Sequence, residues 1–129
     1  MTAAHLDDRG LPAGYPYRPD WETTPRELQR ARAAGEAPLV IDCRTEQERA
    51  ICRIEGSLHV PLHLLELKLD EVRDEVEDQA RRIVVHCHHG VRSLRATAIL
   101  RAAGFEQTTS LAGGIDLWSI DIEPTVPRY

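Results

Sequence analysis

The clearest strand signals in the chain are two short apolar runs, at residues 39–43 and at residues 83–86. Apolar runs of this length, bounded by polar or turn residues, are typical of strands that are buried on both faces of a sheet. A further strand is predicted at residues 108–111, just before the consecutive glycines Gly113 and Gly114. The intervals between these strands are long enough to contain helices.

A first helix is predicted over about residues 25–34. Thr24 is suited to the N-cap, Pro25 to the first helical position and Glu27 to the third, and Gly35 stands where a C-terminal cap belongs. These signals mark both ends of the helix.

Four more segments carry helical signals. Residues 46–51 predict one or two helical turns, and apolar residues at helical spacing over 62–76 predict a longer helix, broken near Asp70. After the apolar run at 83–86, apolar residues at 96, 99, 100 and 103 mark one face of a helix that ends before Gly104. A last short helix is predicted through Trp118.

This order of elements predicts an α/β fold with a parallel sheet covered by helices on both faces. Ligands of such sheets bind at the carboxyl ends of the strands, and Cys87 follows directly after the apolar run at 83–86. Before the first helix, a segment with Pro12, Pro16 and Pro19 can hardly be helical. We therefore predict an irregular N-terminal segment over residues 1–23 and a single domain over residues 24–129.

Composition narrows the class of protein. The chain has 129 residues, 42% of them hydrophobic, which suits one ordinary domain. Its net charge of −5, with acidic and basic residues spread along the chain, disfavours nucleic-acid binding. No apolar run approaches the ~20 residues of a membrane span, and the N-terminus lacks a cationic start. We expect no membrane partner and a cytoplasmic location, where the three widely spaced cysteines stay reduced.

Cys87 is the candidate nucleophile, because five residues after it the chain enters a helix. Backbone N–H groups in such a tight turn converge on one point and, with the positive end of the helix, hold an anion. The helix dipole contributes roughly 0.3–1 kcal/mol, and one pKa unit corresponds to about 1.4 kcal/mol. Loop N–H groups and Arg92 must therefore add to the dipole if the pKa of Cys87 is to fall into the range of reactive cysteines, roughly 3.5–7.5.

Four motifs, in this order, resemble those of the single-domain rhodaneses, a family of sulfurtransferases. They are Asp42-Cys43-Arg44 with Glu48, the stretch 54–57 before Val60-Pro61, the loop from Cys87 to Arg92, and the stretch 112–115 leading to Trp118. The resemblance covers about residues 24–118, most of the chain. Cys52 and Arg53 depart from it, since the family usually has Gly-His at that turn.

The resemblance implies a five-stranded parallel sheet and a sulfurtransferase that carries sulfur as a persulfide on Cys87. It assigns catalysis to Cys87 and Arg92, and support of the region to Asp42 and Arg44. The residues expected to bind the substrate are His88, His89, Gly90, Val91 and Ser93. We expect a small anionic donor such as thiosulfate and an acceptor that is a thiol, a thioredoxin-like protein or cyanide. Neither a metal nor an organic cofactor is required.

Two other functions stay open at this stage. Cysteine phosphatases of a related fold also use His-Cys, an anion loop and Arg-Ser, but with five residues between cysteine and arginine, whereas only four separate Cys87 from Arg92. The shorter ring suits a smaller anion and favours sulfur transfer. The other alternative is an interaction module that has kept the fold without turnover. The presence of Cys87 argues against it.

The other two cysteines are expected to be small buried hydrophobes. Cys43 ends a strand, as Cys87 does, and neighbouring strands would bring their backbones close. Cys87 must point into the loop, however, and Cys43 is expected to point into the core. We therefore predict that oxidation produces mainly a sulfenic acid or a glutathione adduct at Cys87, and not a Cys43–Cys87 disulfide. Cys52 lies in an apolar-leaning turn.

Overall fold

The computed structural model describes residues 5–76 and 81–129 and contains a five-stranded sheet. Every pairing in this sheet is parallel, as the sequence predicts. The strands, in chain order, are β1 (Glu22–Thr23), β2 (Leu39–Asp42), β3 (Leu58–His59), β4 (Ile83–His86) and β5 (Thr108–Leu111). They lie side by side in the order β1-β5-β4-β2-β3, so β4 occupies the centre. The α/β prediction is confirmed.

Helices fill the connections between the strands. They are α1 (Pro25–Ala33), α2 (Glu46–Ile51), a 3-10 helix (Leu62–Lys68), α3 (Leu69–Val76), α4 (Val91–Ala102) and α5 (Gly114–Asp121). The helix predicted over 62–76 is thus divided into a 3-10 helix and an α-helix, close to the predicted break at Asp70. The predicted N-cap of α1 is present, because Thr24 accepts a hydrogen bond from Glu27 N. Helix α2 begins with a capping box of Thr45 and Glu48, which the sequence analysis did not predict.

The two faces of the sheet pack against different helices. Side chains alternate along a strand, so Val40 and Val84 face one core, which includes Leu28 of α1 and Trp118 of α5. The opposite core contains side chains from α3, α4 and the 3-10 helix. From the strands and their ends, it contains Leu39, Ile41, Cys43, Ile83, Val85 and Cys87. Both thiols that end the central strands therefore lie on the same face of the sheet.

The N-terminal segment is more integrated than an irregular tail. Residues 22–23, inside the segment predicted to be irregular, form the edge strand β1 beside β5, and Leu11 is fully buried against Ala112 and Leu117. A strand of two residues is too short to show the alternation by which strands are recognised. The segment thereby reaches the turn that follows β5.

Among the described residues, no helix combines the length and the apolar character that crossing a membrane requires.

Candidate active site

Cys87 lies at the carboxyl end of the central strand, and its sulfur is surrounded by hydrogen-bond donors. Gly90 N donates to Cys87 Sγ over 3.1 Å and Ser93 N over 3.4 Å, and the Ser93 hydroxyl lies 3.3 Å away. These groups belong to the loop after β4 and to the first turn of α4, which begins at Val91. The predicted nest of N–H groups is present, and Cys87 is 1% exposed at its base.

This environment lowers the pKa of the Cys87 thiol from 9.0 to about 4. The largest cause is a hydrogen bond from the thiol of Cys43; burial opposes it, and the Ser93 and Gly90 bonds add to the lowering. A pKa of about 4 makes Cys87 a thiolate throughout the neutral range. It also places Cys87 among the reactive cysteines.

Cys43 lies in the same core as Cys87, contrary to the expectation from the sequence. Its side chain enters the core, as expected, but the core it enters is the one that contains Cys87. The expectation that the two thiols face apart is wrong, because residues 43 and 87 stand at equivalent positions of paired strands and so share a face. The pKa of Cys43 is raised, first by its hydrogen bond to Cys87 and then by burial. One thiol is ionised and its neighbour stays protonated.

The turn between β5 and α5 holds the Cys87 loop in place through backbone hydrogen bonds. Ile115 N donates to Cys87 O over 2.9 Å, and Asp116 N donates to His88 O over 3.1 Å. Gly114, with φ of +61°, packs so closely that an added Cβ would lie 2.4 Å from His88 O. Glycine is therefore required at position 114 for two reasons: the two backbones are in contact there, and its φ is positive.

Two serines fix the position of the cradle. Ser93 and Ser110 are fully buried, and their hydroxyl oxygens are 2.7 Å apart. The Ser93 hydroxyl is therefore shared between Cys87 and a strand of the sheet. Ser110 was missed by sequence reasoning; the only available signal was a polar residue in a strand that must be buried.

Tyr15 supports the loop from the N-terminal segment. Its hydroxyl donates to Glu22 Oε2 over 2.6 Å and accepts from Gly113 N over 3.0 Å. Gly90, with φ of +110°, sits against this hydroxyl, since an added Cβ would lie 3.4 Å from it. Burial, and then Glu22, raise the pKa of Tyr15, so it stays neutral. No local pattern in the sequence points to Tyr15 or Glu22.

Arg92, the predicted catalytic arginine, holds a carboxylate. Its two terminal nitrogens donate to the Glu48 oxygens over 2.6 and 2.9 Å. This bidentate pair lowers the pKa of Glu48 far below its usual range and raises that of Arg92. The side chain of Arg92 stays 35% exposed, so it can still face solvent beside the loop. Its predicted role in donor binding remains a prediction.

The histidines of the loop form an aromatic stack with the C-terminal residue. The ring of His88 stacks on His89 and on Tyr129, each with centroids 3.9 Å apart. The Tyr129 hydroxyl donates to Glu48 Oε2 over 2.7 Å and accepts from Arg44 over 3.0 Å. Burial, the largest cause, raises the pKa of Tyr129 to about 12 and, with the charge of His89, lowers that of His88. Tyr129, missed from the sequence, thus covers one side of the loop, whereas Val91 is exposed on its rim.

Asp42 and Arg44 form a fully buried ion pair. Arg44 donates twice to Asp42, over 2.9 Å each, and once to Cys52 O over 2.6 Å. Arg49 adds a second cation to Asp42 over 3.1 Å. Burial alone would raise the pKa of Asp42, but its bonds to Arg44 and the nearby His86 lower it. The pair therefore ties the end of β2 to the end of α2.

A cavity of about 400 Å³ lies between the end of β2, the 3-10 helix and α4. Arg92, Arg95 and His63 supply nitrogen groups to its wall, Glu66 supplies a carboxylate, and Cys43 also lines it. A small anion entering this cavity would meet more cationic than anionic side chains.

One group of donor atoms near the loop has a spacing that suits a metal ion. His88, His89 and Asp116 each place one potential ligand atom within 4.8 Å of the others. The Asp116 carboxylate is already held by Arg128, at 2.8 Å. The expectation that no metal is required stays a prediction.

Comparisons with known proteins agree with the geometry. The family model described as "Rhodanese-like domain" matches residues 24–121. A sulfurtransferase of Allochromatium vinosum is 32% identical over 98 residues, covering 76% of this chain and 87% of its own length. The thiosulfate sulfurtransferase GlpE of Ectopseudomonas mendocina is 34% identical over 95 residues, covering 74% and 81%. The adenylyltransferase and sulfurtransferase MOCS3-1 of Zea mays is 29% identical over this whole chain, which spans only 28% of that longer protein.

Solved structures show the same fold. The human single-domain sulfurtransferase TSTD1 superposes with a TM-score of 0.68 and 25% identity, covering 78% of this chain and 96% of its own. A thiosulfate sulfurtransferase from Pseudomonas aeruginosa superposes with a TM-score of 0.73 and 24% identity, covering 86% of this chain and 21% of its own.

Proposed function

The chain belongs to the rhodanese-like family, and from this premise we propose that it is a sulfurtransferase that carries a sulfane sulfur on Cys87. The observation that carries the proposal is the cradle itself: Gly90 N, Ser93 N and the Ser93 hydroxyl all contact a sulfur whose pKa is lowered to about 4. Such a site supplies a thiolate without any separate base. The sulfurtransferase names of its relatives support the same class of reaction.

The first step loads the cysteine. The Cys87 thiolate attacks the outer sulfur of thiosulfate, the bond between the two donor sulfurs breaks, and sulfite leaves with the electron pair. The negative charge moves to the outer sulfur of the new persulfide. N–H donors fixed around that position stabilise the charge, as an oxyanion hole stabilises oxygen. Arg92 and Arg95 on the cavity wall favour the approach of an anionic donor.

The second step transfers the outer sulfur from the Cys87 persulfide to an acceptor. A nucleophile attacks the outer sulfur, and the Cys87 thiolate is the leaving group. Its low pKa makes it a good one, since a thiol of lower pKa leaves faster. We propose a thiol, such as that of a thioredoxin-like protein, or cyanide as acceptor. The three free thiols of the chain are suited to a reducing compartment such as the cytoplasm.

Intact mass spectrometry tests the loading step. After incubation with thiosulfate and removal of the excess donor, we expect the protein to gain the mass of one sulfur atom. Adding cyanide should remove this mass and yield thiocyanate. Cys52→Ser is the matched control, because Cys52 is also buried but lies outside the cradle. A protein that gains no sulfur from thiosulfate, while a known rhodanese does so in parallel, contradicts thiosulfate as donor.

A phosphatase assay separates this proposal from the related cysteine phosphatases. We expect no turnover of p-nitrophenyl phosphate, because only four residues separate Cys87 from Arg92 and the Arg92 guanidinium is bound to Glu48. A bidentate arginine is what phosphate recognition would require. Phosphate release that disappears in Cys87→Ser would instead assign the loop to phosphoryl transfer.

A further inference from the structure

Cys43 and Cys87 occupy equivalent positions at the ends of two paired strands. Asp42 is paired with His86 in the register of β2 and β4, so the next residues along each strand are the two cysteines. The pairing continues to this point, since Cys43 N donates to His86 O over 3.0 Å. Neighbouring strands lie about 4.8 Å apart, which is within the Cα separation of about 4.4–6.8 Å that a disulfide accepts.

The side chains also meet. Both belong to the same core cluster and both are at most 2% exposed, and the nearby Cys43 thiol is the largest cause of the lowered pKa of Cys87. The transfer reaction proposed above uses Cys87 alone. It leaves a second thiol in the same core cluster as the sulfur that becomes the inner atom of the persulfide.

We propose that Cys43 is a resolving thiol, which attacks the inner sulfur of the Cys87 persulfide, releases hydrosulfide and leaves a Cys43–Cys87 disulfide. This gives the protein a second activity, the release of sulfide without an external acceptor. The inference rests on the Cys87 persulfide of the proposed function.

The step balances within the protein. Cys43 Sγ forms a bond to Cys87 Sγ, and the bond between Cys87 Sγ and the outer sulfur breaks. The outer sulfur leaves with the electron pair and takes the proton that Cys43 loses, so one hydrosulfide ion is formed. Two cysteine sulfurs are oxidised to a disulfide and the sulfane sulfur is reduced to sulfide. A dithiol reductant is needed only afterwards, to open the disulfide for another cycle.

The geometry suits attack on the inner sulfur. Cys43 approaches Cys87 from β2, whereas the N–H donors of Gly90 and Ser93 approach it from the loop and from α4. An outer sulfur held by these donors therefore departs into a site that stabilises its negative charge.

The contact also orders the two steps. In the unloaded protein the Cys87 thiolate raises the pKa of Cys43 and keeps it protonated. Loading moves the negative charge to the outer sulfur, one bond farther from Cys43, and leaves the Cys87 sulfur uncharged. Cys43 therefore becomes a better nucleophile only after sulfur has been loaded.

A single-turnover experiment tests the inference. The protein is loaded with thiosulfate or, in a parallel arm, with inorganic polysulfide; the excess is removed and no thiol is added. Hydrosulfide is trapped with a bimane reagent, and peptides are mapped without reduction. We expect about one hydrosulfide per loaded persulfide, consistent with the balanced step, together with a linked Cys43–Cys87 peptide. Cys43→Ser should lower hydrosulfide per loaded persulfide at least tenfold, and Cys52→Ser should not change it.

The outcomes distinguish a failure of the resolving role of Cys43 from a failure of the proposed sulfurtransferase function. A wild-type persulfide that persists, with neither hydrosulfide nor a linked peptide, overturns the resolving role and leaves the transferase proposal standing. Equal hydrosulfide release by Cys43→Ser does the same. If neither donor loads Cys87, both proposals fail. The linked peptide is sought in the wild-type protein, so the result does not depend on how well a variant folds.

Discussion

The ends of β2 and β4 are neighbours in the sheet, and each carries a cysteine on the same face. The two cysteines nevertheless lie in different hydrogen-bonding environments. After β4 the chain turns into α4 within a few residues, and its N–H groups point back at Cys87. After β2 the polar groups satisfy one another instead, through the buried pair of Asp42 and Arg44. The result is a thiolate at one end and a protonated thiol at the other.

The difference shows that the end of a parallel strand does not by itself make a nucleophile. A thiol becomes a thiolate where uncommitted donors converge on it, and here these donors come from the loop and the first turn of a helix. At the end of β2 the charged groups are already paired with each other. The three substitutions below test this contrast, from the largest expected effect to the smallest.

Cys87→Ser removes the nucleophile while keeping its size. We expect sulfur transfer from thiosulfate to cyanide to fall by roughly three orders of magnitude or more, because a hydroxyl is a far weaker nucleophile than a thiolate. The measurement is thiocyanate formation, with circular dichroism to show that the fold is retained. Substantial turnover by a folded Cys87→Ser protein would move the chemistry away from the end of β4.

Asp42→Asn breaks the buried pair at the end of β2. The neutral amide leaves the guanidinium of Arg44, which is fully buried, without its counter-ion, and removal of one partner of such a pair typically costs about 3–5 kcal/mol. We expect the free energy of unfolding in urea to fall by about that amount. Asp121→Asn, which removes the partner of the more exposed Arg26, is the control and should change it much less. Equal losses in the two variants would contradict a special structural role for the Asp42 pair.

Cys43→Val connects the two ends, because it removes the thiol that donates to Cys87 and keeps a similar volume. A hydrogen bond to a charged group contributes about 1.5–3 kcal/mol, so the pKa of Cys87 should rise by about one to two pH units. The measurement is the rate of alkylation by iodoacetamide against pH. Cys43→Ser retains an O–H donor and should shift the profile less. An unchanged profile in Cys43→Val would show that the loop donors suffice alone.

The same substitution changes how stability depends on pH. The folded-state pKa of Cys87, about 4, lies below its ordinary value of 9.0. The thiolate therefore contributes its full stabilisation above pH 9, and this contribution is lost as the pH falls toward 4. In Cys43→Val the loss should be complete at a higher pH.

The fold and the centre of the site follow from local patterns. The apolar run Ile83–His86, the sharp turn after it and the apolar face of α4 together predicted where Cys87 lies. The caps at Thr24 and Gly35 predicted α1 within one or two residues. These features depend on residues close together in the chain, so one sequence is enough to recognise them.

The parts of the site that were not predicted from the sequence depend on contacts between residues that are distant in the chain. Glu48 and Arg92 are 44 positions apart, and Tyr129 reaches Arg44 across 85. Neither pair leaves a local trace, and exposed charged residues have many possible partners before the sheet order is known. The contact of Cys43 with Cys87 was missed for another reason. Each side chain was oriented separately, whereas the parallel register places both on one face.

The backbone contact at Gly114 limits how this protein can vary. Any side chain there would overlap the carbonyl groups of His88 and Cys87, whereas at Gly113 the overlap is with the side chain of Leu117, including its Cβ atom. In a randomised library of the two positions, selected for sulfur loading, position 114 should return glycine alone. Position 113 should admit a left-handed-tolerant residue such as asparagine only when residue 117 is glycine, because every other residue at 117 keeps the overlapping Cβ atom. The chemistry of the Cys87 loop thus depends on a glycine of another loop, whose role is to let the two backbones pack together.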